Sequence, residues 1–453
     1  MGSPILFPML PPPKEMKSFH SIDGSIITPQ GFLAAGLFCD VKRLGTGKGS
    51  NKGKKRDLAV IVSEVPAKAA GMFTTNQICA APVKLCVEHI ADGNAQAVVI
   101  NSGNANACTG PRGLRDAHEM AALLANELLL KPTDVLVGST GRIGLPMPMP
   151  NIRAGIREIV KELDDDPSAA HHAAEAIMTS DTRAKEIAVE FKLGDQTVRI
   201  GGIGKGAGMI QPGMSPTGAR PASMPLHATM LAYLTTDAKV DARTLRTCLR
   251  EAVATSFNCI TVDGDMSTND TVLILANGLA GNKKLSVRDL KIFQAALNHV
   301  CLELAKMMVR DGEGITRMVT VRVKGAKTQK DADAAARAVG NSALVKTSWH
   351  GGDPNWGRII DAIGYSPAKV IEEKVDIAYS APSAKKLTHS LKKGRPTKAT
   401  FKTLCSAVAP AEFDLHINLN LGKSDAVLYA ADLTEAYVDF NKGDITNPAS
   451  LGG

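Results

Sequence analysis

The chain has 453 residues, 44% of them hydrophobic and only 4% aromatic, so it is long enough for two or three domain-sized cores. Its net charge of +8 is concentrated in residues 42–56, which carry seven basic residues, no acidic one and no aromatic platform for stacking nucleic-acid bases. We therefore expect no nucleic-acid partner, and no apolar run reaches the roughly 18–20 residues that a membrane span needs.

The hydrophobic pattern predicts strands and helices in mixed order along the chain. Short apolar runs predict strands at 57–63, 96–101, 133–138, 318–323 and 413–421. Apolar residues at helical spacing predict helices at 115–130, 152–164, 168–178, 241–257 and 286–309. Residues 187–201 alternate as a hairpin, and loops are expected at 42–56, 211–227 and 386–398. This mixture predicts an α+β fold and argues against a single βαβ winding.

The cysteines and the N-terminal residues bear on the compartment. The eight cysteines are scattered without a CxxC pair, which favours reduced thiols over a disulfide framework and predicts a cytoplasmic protein. The first 21 residues lack the apolar core of a secretory signal and the arginine-rich pattern of a transit peptide, although organelle import stays open as an alternative. No histidine pair has zinc-ligand spacing, and the acidic stretch 263–270 lacks the spacing of a calcium loop, so we expect neither a metal nor a bound cofactor.

Several polar clusters follow the apolar runs, where catalytic groups are often placed. Residues 101–107 (NSGNANA) and 138–141 (GSTG) each follow a predicted strand. Small residues in the second cluster would expose backbone N–H groups and a hydroxyl in the manner of an oxyanion hole. Residues 310–314 (RDGEG) follow the long helix, and the flanking glycines indicate a turn that aims Glu313 into a site. Taken alone, the first two clusters are better explained as ordinary turns.

The segment 201–238 contains a glycine-rich turn with one lysine, Lys205, and then Ala228-Thr229 before an apolar run. A threonine hydroxyl is a poor nucleophile unless a base lies beside it. Cutting the chain just before the threonine supplies that base, because the new α-amino group titrates near pH 7.7–8.0. Thr229 is therefore a candidate nucleophile of a self-processing acyl-transfer enzyme, and the alternative is a plain loop that leads into a core element.

Together these pieces resemble the ornithine acetyltransferase family, whose members are glutamate N-acetyltransferases and bifunctional arginine-biosynthesis proteins. The matching segments follow the family's order over nearly the whole chain. They are GFLAAG (31–36), DLAVIVSEVPAKAAGMFTTN (57–76), INSGNANACTG (100–110), GSTGRIG (138–144), AIMTSDT (176–182), KGAGMI (205–210), ATMLAYLTTDA (228–238), FNCITVDGDMSTNDT (257–271), VRDGEGITRMVTV (309–321), DPNWGRI (353–359) and DLTEAYVDFN (432–441).

The resemblance implies a fold, a processing event and a reaction. The fold is an αββα sandwich of the self-processing N-terminal-threonine type, shared by acyltransferases and aminopeptidases. Cleavage between Ala228 and Thr229 gives an α segment, 1–228, and a β segment, 229–453, which stay associated, usually as α2β2. Thr229 then takes the acetyl group of N2-acetylornithine and passes it to glutamate in a ping-pong cycle of arginine biosynthesis. Many bacterial members also use acetyl-CoA as donor, and no motif decides this here.

The resemblance also implies the residues of the site. Thr140 and Gly141 match the oxyanion-hole pair. Lys205 matches a substrate-binding lysine whose charge suits a substrate carboxylate, and Glu313 matches a carboxylate that suits a substrate ammonium group. The remaining substrate contacts that the family implies are Thr179 (with Thr182 as a competitor), Asn441, Thr446 and the nucleophile itself.

The segment before the expected cut departs from the family's pattern. Lys205 and Thr229 are 24 positions apart, about 13 more than in the family's K-G-S-G-M-I-x-P-x-M-A-T. Self-cleavage needs a tightly held turn, and the extra residues within GMSPTGARPASMPLH could relax it. Thr217 is a rival nucleophile because residues 212–217 mimic the family's approach to its threonine, but the family's downstream sequence begins directly after Thr229.

Two other functions therefore stay open. One is a related self-processing aminopeptidase or amidohydrolase, in which water replaces glutamate as the acceptor. The other is an uncut, inactive homologue that binds ornithine derivatives without turnover.

Overall fold

The computed structural model describes residues 18–42, 55–219 and 230–442. The chain folds into two compact units. The large unit contains the described residues up to Asn258, residues Asp265–Met308 and Lys442. The small unit contains Cys259–Gly264 and Val309–Asn441.

The strands are, in chain order, β1 (Phe19–Ile22), β2 (Phe32–Leu37), β3 (Leu58–Thr74), β4 (Asn94–Asn104), β5 (Val135–Arg142), β6 (Lys185–Leu193), β7 (Gln196–Lys205), β8 (Met214–Ser215), β9 (Leu231–Thr236), β10 (Ile260–Thr261), β11 (Thr271–Ala276), β12 (Met318–Ala326), β13 (Asp376–Ser380), β14 (Thr388–Lys392), β15 (Arg395–Pro396), β16 (Glu412–Asn418) and β17 (Ser424–Ala431). The helices are α1 (Ala81–His89), α2 (Gly110–Leu128), α3 (Met149–Ile159), α4 (Pro167–Ala176), α5 (Ala242–Ala254), α6 (Val287–Arg310), α7 (Gln329–Asn341), α8 (Ala343–His350), α9 (Trp356–Gly364), α10 (Phe401–Val408) and α11 (Glu435–Asn441).

The large unit is built on one mixed sheet. Its order is β1-β6-β7-β9-β11-β3-β4-β5, and β2 and β8 also pair with β3. β3 pairs with β2 and β4 through its first half and with β11 and β8 through its second half. Its first six residues, Leu58–Ser63, are all buried, as expected of a strand that is covered on both faces. Helix α4 packs on β2 and β3, α5 packs on β3, and α1 packs on β5.

The small unit contains a second mixed sheet. Its order is β10-β17-β12-β16-β13-β14-β15. Valines of β12, such as Val319 and Val321, form the core together with aromatic residues such as Trp349 and Phe413. Helix α7 covers β12 and β17 with a face of small residues, since its buried side chains are mainly alanines. Mixed sheets with helices in both units make the chain an α+β protein, as predicted, while the αββα layer order remains an expectation from the resemblance.

Each strand and helix predicted from periodicity is present, and the ends agree within about five residues except for the strand predicted at 57–63, which continues as β3 to Thr74. The loop predicted at 386–398 is wrong, because these residues contain β14 and β15, which pair in antiparallel register. Their two-residue turn is Lys393-Gly394, with φ of +49° and +70°. Positive φ values at both turn positions match the twist of a two-residue hairpin. The polar composition of the segment concealed this hairpin in the sequence. Of the other predicted loops, residues 43–54 and 220–227 lie outside the described residues.

All eight cysteines are free thiols. In the described ranges, no helix is both long and apolar enough to cross a membrane.

Candidate active site

Strands β4 and β5 run parallel and end side by side at the two polar clusters that the sequence singled out. Ser102 lies opposite Thr140, Gly103 lies opposite Gly141, and the regular pairing ends in a bulge at Asn104. The carboxyl ends of neighbouring parallel strands share one edge of a sheet, which is where α/β proteins commonly place binding groups. The predicted oxyanion pair therefore lies at the carboxyl end of two parallel strands of the large sheet.

Gly141 lies where a side chain does not fit. Its φ is +130°, and an added Cβ would lie 2.3 Å from the carbonyl carbon of Gly103 and 2.6 Å from the nitrogen of Asn104. Only glycine permits this close approach of β5 to β4. Thr140, the preceding residue, is buried. A buried hydroxyl and the next backbone N–H are the kinds of donor that stabilise a developing oxyanion.

Lys205 lies in a buried ionic cluster at the end of β7. Its Nζ donates a hydrogen bond of 2.8 Å to Thr179 Oγ1 and lies 3.8 Å from Asp181 Oδ2. Asp181 Oδ1 accepts hydrogen bonds from Lys185 Nζ over 2.6 Å and from the Gly206 N–H over 2.7 Å. The side chains of the two lysines and the aspartate are at most 3% exposed.

The two lysines determine the ionisation of Asp181. Burial alone would raise the pKa of Asp181, but the charges of Lys185 and Lys205 and the hydrogen bonds from Lys185 and Gly206 outweigh it and hold that pKa well below its usual range. The two lysines therefore hold Asp181 as a carboxylate. Thr179 contacts Lys205 directly, whereas its competitor Thr182 is exposed.

The start of β9 is held next to Lys205. Leu231 pairs with Lys205 of β7 on one side and with Thr271 of β11 on the other. The Met230 N–H donates a short hydrogen bond to Asp270 Oδ1, and the Met230 carbonyl accepts one from the Thr271 N–H over 3.1 Å. The residue that follows Thr229 in the chain is thus fixed by contacts on both its nitrogen and its oxygen.

Asn269 connects this region to the ends of β4 and β5. Its Nδ2 donates to the carbonyl of Ala105 over 2.7 Å and to the carbonyl of Ser139 over 2.8 Å. Asn269 and its neighbour Asp270 therefore bind the residue just before Thr140 and the residue just after Thr229. As a result, the predicted oxyanion pair and the start of β9 meet in one part of the large unit.

The expected cleavage pair, Ala228 and Thr229, and the expected substrate contact Thr446 lie outside the described residues. The rival nucleophile Thr217 is exposed in a turn after β8, where its Oγ1 accepts a hydrogen bond from the Ala219 N–H over 3.3 Å. This position gives Thr217 an exposed setting and not a buried one.

Two of the predicted substrate contacts meet in the small unit. Asn441 Nδ2 donates to Glu313 Oε2 over 2.9 Å and to the Tyr437 carbonyl over 3.0 Å. The turn that carries Glu313 is also tied to the residue before α11, because Thr434 Oγ1 donates to the Gly314 carbonyl over 2.6 Å. The two segments around residues 313 and 441 therefore form one structural feature of the small unit.

Sequence reasoning did not assign a role to four residues that shape these features, namely Asp181, Lys185, Asn269 and Asp270. Three of them lie in clusters whose polarity was noticed, while Lys185 gave no signal. Across the described ranges, no group of three or more histidine, cysteine or acidic side chains is placed to hold a metal ion.

Comparison with known proteins places this chain in a family. Residues 43–444 match the model of the ArgJ family. The arginine biosynthesis bifunctional protein ArgJ of Symbiobacterium thermophilum is 45% identical over 420 residues, which cover 92% of this chain and 98% of the relative. A glutamate N-acetyltransferase of Methanocaldococcus jannaschii is 43% identical over 425 residues, 93% of this chain and 98% of the relative.

Among solved structures, ornithine acetyltransferase of Mycobacterium tuberculosis complexed with ornithine is 34% identical, with a TM-score of 0.40, and the match covers 44% of this chain and all of that one. The family match and the identities over nearly the full length agree with the resemblance of the sequence motifs. The chain belongs to the ArgJ family.

Proposed function

We propose that this protein is a glutamate N-acetyltransferase of arginine biosynthesis, which transfers the acetyl group of N2-acetylornithine to glutamate. Membership of the ArgJ family and the name of the M. jannaschii relative support this activity. The observation that carries the assignment of residues is the pair Asn269-Asp270, which brings the β5 segment before Thr140 together with the residue after Thr229.

The first half of the proposed cycle transfers the acetyl group to the protein. The Oγ of Thr229 attacks the acetyl carbonyl carbon while the free α-amino group of the same residue takes the hydroxyl proton. The Thr140 hydroxyl and the Gly141 N–H donate hydrogen bonds to the resulting oxyanion. The bond from the acetyl carbon to the ornithine nitrogen then breaks, and the α-ammonium group gives its proton to the leaving amine.

The second half of the cycle regenerates the free Thr229 nucleophile. The amine of glutamate attacks the carbonyl carbon of the acetyl-threonine ester, and the Thr229 α-amino group takes a proton from the attacking nitrogen. The ester bond breaks, Thr229 Oγ recovers this proton, and N-acetylglutamate leaves. The acetyl group is thereby conserved, and the cycle as proposed needs neither a metal nor a cofactor.

We assign substrate recognition by charge. Lys205, oriented by Thr179, binds a substrate carboxylate, because it matches the family's substrate-binding lysine and carries the opposite charge. Glu313 accepts the ammonium group of the substrate, and Asn441 and Thr446 are the further contacts. The resemblance also implies acetyl-CoA as a second acetyl donor.

We further propose that the chain is cut between Ala228 and Thr229 into segments 1–228 and 229–453 that stay together as α2β2. This cut would divide the strands of the large sheet between the two segments, since β9 pairs with β7 and β11 pairs with β3. Each ladder joins one strand from each segment, so backbone hydrogen bonds would hold the segments together. A cytoplasmic location is proposed on the basis that all eight cysteines are free.

The test is a transfer assay with the purified full chain. N2-acetylornithine is incubated with and without glutamate, and ornithine, N-acetylglutamate and acetate are quantified by mass spectrometry. We expect ornithine release that depends on glutamate and yields an equal amount of N-acetylglutamate. Release with acetate and without a need for glutamate would favour the amidohydrolase, and binding without turnover would favour the inactive homologue. The same assay with acetyl-CoA replacing N2-acetylornithine tests the second donor.

A further inference from the structure

The side chain of Tyr233 in β9 ends in a buried hydroxyl group. The residue is 1% exposed, and its hydroxyl has no hydrogen-bond partner among the described residues, although buried tyrosines usually have one. Cys86, whose charge would act on this hydroxyl, bonds instead to the carbonyl and the N–H of Val137. Burial raises the pKa of Tyr233 well above its usual range, so the group stays neutral. What distinguishes this hydroxyl is the space that it fills.

That space is the side-chain position of Gly138 in β5. A Cβ atom added to Gly138 would lie 1.9 Å from the hydroxyl oxygen of Tyr233, and the next atoms are Tyr233 Cζ at 3.1 Å and Ile100 Cγ2 at 3.2 Å. A glycine inside a strand often marks the close approach of another group. The two residues are therefore complementary, because the hydroxyl fits only where residue 138 has no side chain.

This contact joins two strands that are not neighbours in the sheet. β11, β3 and β4 lie between β9 and β5 along the order of the described strands. Tyr233 nevertheless belongs to the same hydrophobic core as Ile100 of β4 and Val137 of β5. Since three strands intervene in the ladder, it cannot set the separation of β9 and β5 directly, whereas the ring of Tyr233 does so by contact.

The contact lies just before the proposed oxyanion donors. Gly138 precedes Thr140 by two residues, and residues at this spacing in a strand point to the same face. Tyr233 thus packs on the face of β5 that carries the Thr140 side chain. The pairing of β5 with β4 is regular from Gly138 through Gly141, so a displacement at Gly138 would carry both donors with it. Oxyanion donors must lie about 2.7–3.1 Å from the developing charge, which leaves little room for such a shift.

Building on the proposed function, we infer that Tyr233 is a positioning residue for the oxyanion donors. Its hydroxyl fills the missing side chain of Gly138 and thereby sets the distance of β5 from β9. A side chain at residue 138 would push β5 away, and a gap in place of the hydroxyl would let β5 move. Either change misaligns the Thr140 hydroxyl and the Gly141 N–H, and the loss falls on stabilisation of the transition state and not on substrate binding.

The inference is tested with the full chain by exchanging the two partners singly and together. Gly138→Ala adds a methyl group, Tyr233→Phe removes the hydroxyl, and the double variant puts the methyl group where the hydroxyl was. Gly155→Ala, made with and without Tyr233→Phe, is the control, because the atoms nearest to its added Cβ belong to Cys39 and Leu58. Initial rates of acetyl transfer give kcat and KM for each variant, and urea unfolding gives the midpoint.

We expect Gly138→Ala to lower kcat about 100-fold at nearly constant KM, since a misplacement of about 1 Å costs this much in rate. Tyr233→Phe should lower kcat by a smaller factor, because it only opens a gap. The double variant should have a kcat at least about tenfold above that of Gly138→Ala, because exchanges that conserve volume are tolerated best in a core. The effect of Gly155→Ala should be the same with and without Tyr233→Phe.

Independent effects of the two substitutions would overturn the inference. They would appear as a kcat of the double variant that is reduced by the product of the two single losses, and an unchanged kcat in Gly138→Ala overturns the inference as well. A double variant that regains the unfolding midpoint but not kcat also overturns it, because the pair then supports the fold and not the donors.

If Gly138→Ala does not fold, the double variant decides. It must fold and keep kcat within about tenfold of the wild type, and failure on either count overturns the inference. All of these results leave the proposed function intact as long as the wild type transfers acetyl groups. A wild type without transfer refutes the proposed function, and the inference falls with it.

Discussion

Asn269 donates a 2.8 Å hydrogen bond to the carbonyl of Ser139, a residue 130 positions earlier in the chain. The partners flank residues of the candidate site, since Ser139 precedes Thr140 and Asn269 precedes Asp270, which binds the Met230 amide. Asn269 is buried, and its second bond, to Ala105, fixes the end of β4 as well. A single amide side chain therefore sets the position of the proposed oxyanion donors relative to the start of β9.

The first prediction concerns the backbone at Gly141. Gly141→Ala would place a Cβ 2.3 Å from the Gly103 carbonyl carbon, so β5 must move and the Gly141 N–H must lose its alignment. We expect kcat to fall by about 100-fold or more, as when an oxyanion donor is removed. Gly144→Ala is the control, because Gly144 also has a positive φ, +82°, but no atom within 4 Å of the added Cβ. Equal losses of kcat in the two variants would show that backbone strain at a positive φ, and not the steric clash with β4, lowers the activity.

The second prediction separates Thr179 from Thr182. Thr179→Val removes the hydroxyl that accepts a hydrogen bond from Lys205 Nζ, and hydrogen bonds to charged groups contribute about 1.5–3 kcal/mol. We therefore expect KM for N2-acetylornithine to rise by roughly tenfold or more. Thr182→Val changes an exposed residue and should stay close to the wild type. Initial-rate kinetics of both variants measure this difference in KM. A larger rise in KM for Thr182→Val than for Thr179→Val would reassign the substrate contact to Thr182.

The third prediction concerns the stability of the ionic cluster. Asp181→Asn leaves the buried Lys185 and Lys205 without their carboxylate, and breaking a buried pair in this way costs about 3–5 kcal/mol of unfolding free energy. Asp195→Asn, in an exposed turn, is the control.

The pH dependence of this loss has a definite sign. The pKa of Asp181 is lower in the folded than in the unfolded protein, so its stabilisation is present above about pH 4 and disappears as the pH falls through the folded pKa. The difference in unfolding free energy between wild type and Asp181→Asn should therefore be largest above pH 4 and narrow at more acidic pH. Urea unfolding at several pH values measures it, and a difference that is constant with pH would contradict the charge-based explanation.

The fourth prediction concerns the basic segment. Lys42 and Arg56, at its two ends, have structural contacts: the Lys42 N–H donates to Asp57 Oδ2 over 2.9 Å, and Arg56 pairs with Glu175 over 2.8 Å. An experiment that replaces this segment should therefore keep Lys42 and Arg56. Exchanging residues 43–54 for a short glycine-serine linker should leave transfer activity within about twofold, because the sequence predicts a loop here and loops tolerate changes of length. Abolished activity with a folded protein would give this segment a functional role.

Much of the fold was predictable because strongly periodic apolar runs, such as the helix at 286–309, determine their own structure. The hairpin of β14 and β15 was not, because its residues are mostly polar and its turn depends on positive φ at Lys393. The pairing order of the large sheet also could not be read from the sequence, since β9 pairs with β7 and β11 through long-range contacts that leave no local signal.

The candidate site, like the fold, was predictable from the sequence only in part. The motifs indicated Thr140, Gly141 and Lys205, because these residues lie in distinctive clusters of small and polar residues. The sequence could not separate Thr179 from Thr182, since both are threonines in one short polar segment and only the fold puts one of them against Lys205. Asp181 and Asp270 were missed because their importance comes from burial, which a polar pattern does not predict.

The fifth prediction concerns the nucleophile. Thr229→Ala should block both cleavage and acetyl transfer, because it removes the hydroxyl required for each. Thr217→Ala should leave both unchanged, since Thr217 is exposed in a surface turn. An uncut, inactive Thr217→Ala protein would transfer the assignment to that residue.

The central claim is most directly tested by the intact mass of the purified wild-type chain, combined with N-terminal sequencing of every fragment. The proposed mechanism requires two associated fragments, the second of which begins Thr229-Met230-Leu231. A single full-length chain, or a new N-terminus at Thr217, would contradict it.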